Sequence, residues 1–179
     1  MDLGITGKVA LVTGGSRGLG KQSALSLAKE GCKVSLCARN IDELENVVSD
    51  LKKNGYDALG IEADVTTIQG IETFYEKSVN IFGQVDIVVN NVGGTIGGRD
   101  FDTTSDEDWI NTINLNLMSA VRLTRLVVPD MKQRQWGRIV NIASIWGRES
   151  GGGMTYMAAK AALIAFSKHL GLSLAADNI

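Results

Sequence analysis

One histidine, one proline, two cysteines and an aromatic content of 6% leave little of the usual raw material for several kinds of chemistry. A single imidazole, His169, gives a metal site or a histidine-based hydrolase no second histidine to use. Cys32 and Cys37 are too few for a disulfide framework, and Cys37 falls in an apolar run with the look of a buried strand, so both read as core packing in a reducing compartment. No apolar run approaches the roughly 20 residues that span a bilayer, and the N-terminus has neither a basic stretch nor a signal-like apolar core, so no membrane contact is expected and the expected location is cytoplasmic. Charge of one sign is also missing. Eighteen Lys and Arg against 20 Asp and Glu leave a net charge of −2, and the basic residues are scattered, which argues against a nucleic-acid partner.

What is present is a regular alternation. Strand-like runs Val9–Val12, Lys33–Cys37, Ala58–Ile61, Val85–Val89 and Arg138–Ile142 are separated by helical patterns over 18–30, 41–54, 67–82, 105–134 and 155–176. Strands that are almost continuously apolar, each followed by a helix, predict an α/β doubly wound parallel sheet of Rossmann-like type, covered on both faces. Asp42 or Asn40 can open the second helix, Thr66 the third and Ser105 the fourth, while Gly31, Gly55 and Gly83 supply stops. Pro129 falls within the long fourth pattern and should kink or shorten it. With no repeat, linker or low-complexity segment, residues 1–179 read as a single domain. Gly93–Gly98 and Gly151–Gly153 read as flexible.

After the first strand comes Thr13-Gly14-Gly15-Ser16-Arg17-Gly18-Leu19-Gly20, running into a helix. A pyrophosphate needs open backbone N–H groups at a helix N-terminus, and glycines permit both the tight turn and the close approach. Gly14, Gly18 and Gly20 fit that role, with Ser16, Arg17 and Leu19 between them. A Thr-Gly followed by three residues and then Gly-x-Gly differs from the plain Gly-x-Gly-x-x-Gly fingerprint and resembles the short-chain dehydrogenase/reductase family, a resemblance that runs over essentially the whole chain.

At the tip of the second strand an acidic residue would bind both ribose hydroxyls and repel a 2′-phosphate. The position that matches the family's acid is Ala38, and cations stand at Arg39 and Arg17. Two guanidiniums can clamp a phosphate with charge-assisted hydrogen bonds, which predicts NADP(H) over NAD(H). The resemblance further implies that Asp64-Val65 hold the adenine and that Asn91 and Gly93, in Asn90-Asn91-Val92-Gly93, complete the cofactor cradle. Val92 replaces the family's alanine, and slight reshaping of the adenosine pocket is expected.

Tyr156 and Lys160 are four residues apart in a helical pattern, hence on one face. A carbonyl being reduced needs a proton donor beside its oxygen, and an ammonium near a phenol favours the phenolate. Ser144 follows the fifth strand, at the carboxyl end where open α/β sheets bind ligands. The resemblance implies roles for the set: Ser144 polarises the substrate, Tyr156 is the acid/base, and Lys160 also bonds the nicotinamide ribose. Asn116 falls at the family's fourth catalytic position, where its backbone helps hold a relay water. Asn114 is a rival, and Asn116 is preferred because it lies seven residues after Trp109. His169, nine residues after Lys160, is about half a helical circumference away and reads as structural or solvent-facing.

Substrate contacts are expected from Gly94–Thr104 and from Ile145–Thr155, with Trp146, Arg148 and Met154; Trp146 can equally pack beside the strand end. The look of 3-oxoacyl-carrier-protein reductases of fatty acid biosynthesis makes a 3-oxoacyl thioester, possibly bound to acyl-carrier protein, the leading substrate class, ahead of steroid, sugar, polyol or xenobiotic ketones. Family resemblance also implies a homo-oligomer, dimer or tetramer. Further strands and a substrate lid come after this point in the family, so a C-terminally truncated chain is expected, with an unpaired sheet edge and, as the alternative function, a non-catalytic NADP-binding module.

Overall fold

The computed structural model describes residues 2–98 and 100–179. Five strands, β1 (Val9–Thr13), β2 (Lys33–Ala38), β3 (Ala58–Glu62), β4 (Ile87–Asn90) and β5 (Arg138–Asn141), form one sheet in the order β3-β2-β1-β4-β5. All four pairings are parallel. The order reverses between β1 and β4, because the chain builds outward from β1 to β3 and then crosses back to β4. At such a switch point the loops beyond the strands' carboxyl ends diverge and leave a crevice.

Period-two alternation explains why these strands are apolar on both sides. Ala10 and Val12 of β1 face one core with Val34, Leu36, Ile87 and Val89, covered by α1 (Gly18–Lys29) and α2 (Ile41–Lys53). Val9 and Leu11 face the other, with Cys37 and Val88, covered by α3 (Ile68–Phe82) and α5 (Ser119–Arg134). Cys32 belongs to the first core and Cys37 to the second, so the sheet separates them and both stay free thiols. Burial pushes the Cys37 thiol up to about 12, which keeps it protonated and unreactive.

Capping chemistry places the helices with one correction. Asn40 caps α2 through Glu43 N–H at 3.2 Å, and Ser105 and Asp108 form a reciprocal capping box at α4 (Asp106–Ile113). For α3 the cap is Thr67, accepting from Gly70 N–H at 3.0 Å, rather than Thr66. Thr66 is unavailable because both its N–H and its hydroxyl donate to Asp64 Oδ1, at 3.0 and 2.8 Å. The helices α1, α2 and α3 end at or just before the three expected glycines.

The long pattern at 105–134 is not one helix, and Pro129 is not where it breaks. The helix α5 runs through Pro129, whereas a single π turn over Asn114–Met118 separates α4 from α5. A π turn widens the coil by one residue and rotates the residues after it, and here it turns Asn116 into the interior at 1% exposure. The Asn116 amide donates to Gly94 O at 2.7 Å and Thr112 O at 2.9 Å, and its carbonyl oxygen accepts Gly94 N–H at 3.0 Å. The stretch read as flexible at Gly93–Gly98 is therefore pinned, with Ile96 N–H also on Thr112 Oγ1 at 3.3 Å. The final helix, α6 (Met154–Leu174), begins after a short turn at Ile145–Gly147 and packs against α4 and the π turn. Trp146 lies over Gly151 and Gly152, so that glycine stretch is covered by an indole rather than free. No helix among the described residues is long and apolar enough to cross a membrane.

Candidate active site

A cleft of about 700 Å³ opens at the carboxyl ends of the strands, on the switch point. One end is lined by Ser16, Arg17 and Arg39, the middle by Gly14, Leu19, Asp64, Val65 and Asn91, and the other end by Gly93, Ser144, Tyr156 and Lys160. Twelve positions singled out in the sequence thus face one space. Gly18, Gly20 and Asn116 do not line it; they shape the elements that do.

The turn at 14–20 is built by exclusion of side chains. Gly14 sits at φ +68°, and a Cβ there would lie 3.0 Å from both Asn91 Nδ2 and Val92 Cγ2. Gly20 packs against the Gly14 carbonyl, drawing the start of α1 onto the turn. The α1 N-terminus has no side-chain cap and no acidic residue in its first turn, unlike α2 and α4, so its N–H groups and dipole face the cleft with no carboxylate of its own first turn to compete for them. Asn91 braces this arrangement: its Nδ2 donates to Thr13 O at 2.9 Å and Gly14 O at 3.3 Å, and the N–H groups of Asn91 and Val92 both reach Thr13 Oγ1, at 3.0 and 3.2 Å. Its side chain holds the turn while one surface lines the cleft. These features fit a dinucleotide, whose pyrophosphate needs an open, anion-favouring helix start beside a turn without side chains.

At the opposite end, Lys160 is buried at 2% exposure and its Nζ donates to Ile142 O at 2.8 Å. Removal from water disfavours the ammonium and lowers the Lys160 pKa to about 8. The same Nζ stands 5.6 Å from the centroid of the Tyr156 ring, one helical turn back. Ser144 Oγ accepts Trp146 N–H at 3.2 Å, capping the Ile145–Gly147 turn. One lone pair is thereby occupied and the hydroxyl proton is left free to be donated into the cleft. Trp146 itself is absent from the cleft wall.

Asn114, the rival of Asn116, has a different task. Its Nδ2 donates to Thr66 O at 2.8 Å, and Arg122 Nη1 donates to the same carbonyl at 2.9 Å and to Asn114 Oδ1 at 2.7 Å. This bridge ties the π turn to the Asp64–Thr67 loop. His169 is exposed on α6. Sequence reasoning missed Asn40 and Glu43, at the start of α2, and Leu115, Ile142 and Ala143 beside the reacting end. For Glu43 a signal existed, since the first turn after a β2 tip must lie beside that tip. For Leu115 there was none, because its direction depends on the π turn. Within the substrate-contact stretch Gly94–Thr104, Arg99 lies outside the described residues.

The model of the short chain dehydrogenase family matches residues 8–179, and the chain belongs to that family of oxidoreductases. It is 39% identical over 171 residues to the 3-oxoacyl-(acyl-carrier-protein) reductase of Pseudomonas aeruginosa, covering 94% of this chain and 68% of that one. To the enzyme of the same name from Escherichia coli it is 41% identical over 176 residues, covering 97% and 70%. Among solved structures, L-sorbose reductase from Gluconobacter frateurii, complexed with NADPH and L-sorbose, superposes with a TM-score of 0.95 at 39% identity, over 100% of this chain and 68% of that one. A 7α-hydroxysteroid dehydrogenase complexed with NADH and 7-oxo glycochenodeoxycholic acid gives 0.92 at 31%, over 98% and 68%.

Proposed function

We propose that the protein is an NADP(H)-dependent oxidoreductase that interconverts a ketone and a secondary alcohol, with a 3-oxoacyl thioester as the leading substrate class. The observation that carries the reading is that Ser144, Tyr156 and Lys160 line one end of the cleft whose other end presents Arg17 and Arg39. Similarity to the two 3-oxoacyl-(acyl-carrier-protein) reductases supports the substrate class, and the NADPH held by L-sorbose reductase supports the cofactor.

In this reading Gly14, Ser16, Gly18, Leu19 and Gly20 hold the pyrophosphate at the start of α1, with Arg17 and Arg39 on the 2′-phosphate. Asp64 and Val65 take the adenine, and Asn91 and Gly93 shape the floor. The bound nicotinamide supplies the hydride that reaches the carbonyl carbon. The chain's own residues handle the proton and the charge: Ser144 donates its free O–H to the carbonyl oxygen, and Tyr156 gives its phenolic proton to the alkoxide as it develops. Lys160, charged at neutral pH, faces the ring and favours the phenolate left behind. Asn116 holds Gly94 and the π turn, fixing the wall against which the substrate lies. Residues 1–179 act as one domain, because both apolar cores share one sheet, and we expect a homo-oligomer from the family resemblance.

Substituting Tyr156→Phe tests the assignment. Turnover of a 3-oxoacyl thioester should be abolished, while NADPH titration by fluorescence should give a dissociation constant within about twofold of wild type, because a ring of the same shape remains. Retention of near-wild-type turnover overturns the mechanism. Binding of NADPH by the wild type without turnover of any ketone in a screen would favour a non-catalytic nucleotide-binding module.

A further inference from the structure

The β2 tip carries no carboxylate: the strand ends at Ala38, followed by Arg39. A carboxylate nevertheless reaches that end of the cleft from elsewhere. Glu43, the third residue of α2, lines the cleft beside Arg17, Arg39 and Asn40. Its backbone N–H is held by the Asn40 cap at 3.2 Å, which fixes where the side chain starts. Its Oε2 lies 3.4 Å from Ser16 Oγ in the glycine turn, 27 residues away in sequence. Among the described residues neither Arg17 nor Arg39 forms an ion pair with a carboxylate, so both guanidiniums face the cleft unneutralised and Glu43 keeps its charge free as well.

We propose that Glu43 is a second cofactor-selecting residue, which accepts hydrogen bonds from an unphosphorylated adenosine ribose and opposes a 2′-phosphate, so that the cleft admits NADH alongside NADPH. The inference rests on the cofactor reading above and extends it. Two opposing demands meet at this end of the cleft. A 2′-phosphate gains charge-assisted hydrogen bonds from Arg17 and Arg39 but must sit near a like-charged carboxylate. It also competes with that carboxylate for the Ser16 hydroxyl, which has one proton to give. With the phosphate absent, the ribose 2′-hydroxyl becomes a donor, and Glu43 is the only carboxylate among the described residues lining that end to receive it. Ala38, having no side chain beyond Cβ, leaves room for the exchange. Because Glu43 is exposed, water and salt screen its charge, and the effect is a tuning of preference rather than a block.

The test is Glu43→Gln in the full chain, with dissociation constants for NADPH and NADH measured by fluorescence at low and high salt. Removing the charge while keeping the shape should tighten NADPH and weaken NADH, each by about threefold, raising the preference for NADPH about tenfold, with the NADPH gain shrinking at high salt. A merely structural role would move both cofactors in the same direction, and that result, or an unchanged ratio, overturns the inference. Thermal melting of the variant, expected to match wild type because the helix cap uses the backbone of Glu43, guards against a folding effect. If the wild type binds neither cofactor, the cofactor reading fails and this inference with it. If the wild type binds NADPH and the ratio does not respond to Glu43→Gln, only the role of Glu43 is lost.

Discussion

Lys160 Nζ donates to Ile142 O at 2.8 Å and stands 5.6 Å from the centre of the Tyr156 ring. The first contact comes from the chain just past β5 and the second from the same helix, so the ammonium is fixed from two directions before any ligand arrives. It is held there although burial works against its charge and lowers its pKa from 10.5 to about 8. The sign of the resulting pH dependence is definite. Below pH 8 both folded and unfolded chains carry the proton, and the folded state bears the full cost of the buried charge. Between about 8 and 10.5 only the unfolded chain binds it, so this group makes stability rise with pH across that window. Denaturant unfolding of wild type and Lys160→Met from pH 7 to 11 should show the stability advantage of the methionine variant shrinking as pH rises. A constant difference would mean that Lys160 titrates normally.

Gly93 brings the β4 loop directly against Asn116 and Lys160 at the reacting end. A Cβ there would lie 2.7 Å from Asn116 Oδ1 and 2.8 Å from Lys160 Nζ. Both neighbours are already committed, Asn116 to Gly94 and Thr112 and Lys160 to Ile142, so neither can withdraw without losing a hydrogen bond at least part-buried. Gly93→Ala should cost about 1–3 kcal/mol of stability and lower kcat by more than tenfold. Chemical denaturation with steady-state kinetics checks both. A fully active, fully stable variant would show that the loop shifts freely.

The bridge from Arg122 to Thr66 O and Asn114 Oδ1 is part-buried and joins the π turn to the loop that carries Asp64 and Val65. Losing the guanidinium leaves Asn114 as the remaining side-chain tie, through its amide on Thr66 O. Arg122→Ala should therefore loosen the adenine end, raising KM for NADPH about fivefold to tenfold with kcat within about twofold of wild type, because Asn116 keeps its own hydrogen bonds to Gly94 and Thr112 on the reacting side of the π turn. A fall in kcat with unchanged KM would place the effect at the reacting end instead.

Each feature was legible in the chain to the extent that its signal is local. The sheet and the glycine turn are legible because apolar runs of strand length, and glycines at fixed offsets after the first of them, lie close together in sequence. The Tyr156–Lys160 pair is legible because helix periodicity alone puts residues four apart on one face. The π turn is not, since Trp109–Met118 has the same apolar spacing whether the coil has an α or a π register there, and Asn116 turns inward only in the second. Pro129 misled for the complementary reason, its missing donor being absorbed within a helix held by Leu123, Val127 and Met131 in the core. The place of Glu43 beside the β2 tip follows locally from its position in the first turn of α2, but its contact with Ser16 spans 27 residues, which no local pattern encodes.

Ser144 has its acceptor side occupied by Trp146 N–H at 3.2 Å and its proton free. Two consequences of Ser144→Ala can be separated by size. Loss of the cap on the short Ile145–Gly147 turn costs about 0.5–2 kcal/mol, visible in chemical denaturation and independent of substrate. Loss of a donor aimed at a developing oxyanion costs about a hundredfold to a thousandfold in kcat, with KM changed little, because the charge it stabilises exists only in the transition state. Ser144→Thr keeps both the cap and the donor and should recover most of the stability and part of the rate. If Ser144→Ala lowered stability by the amount of a cap but left kcat within about threefold of wild type, the hydroxyl would be a turn residue and the carbonyl would be oriented by Tyr156 alone.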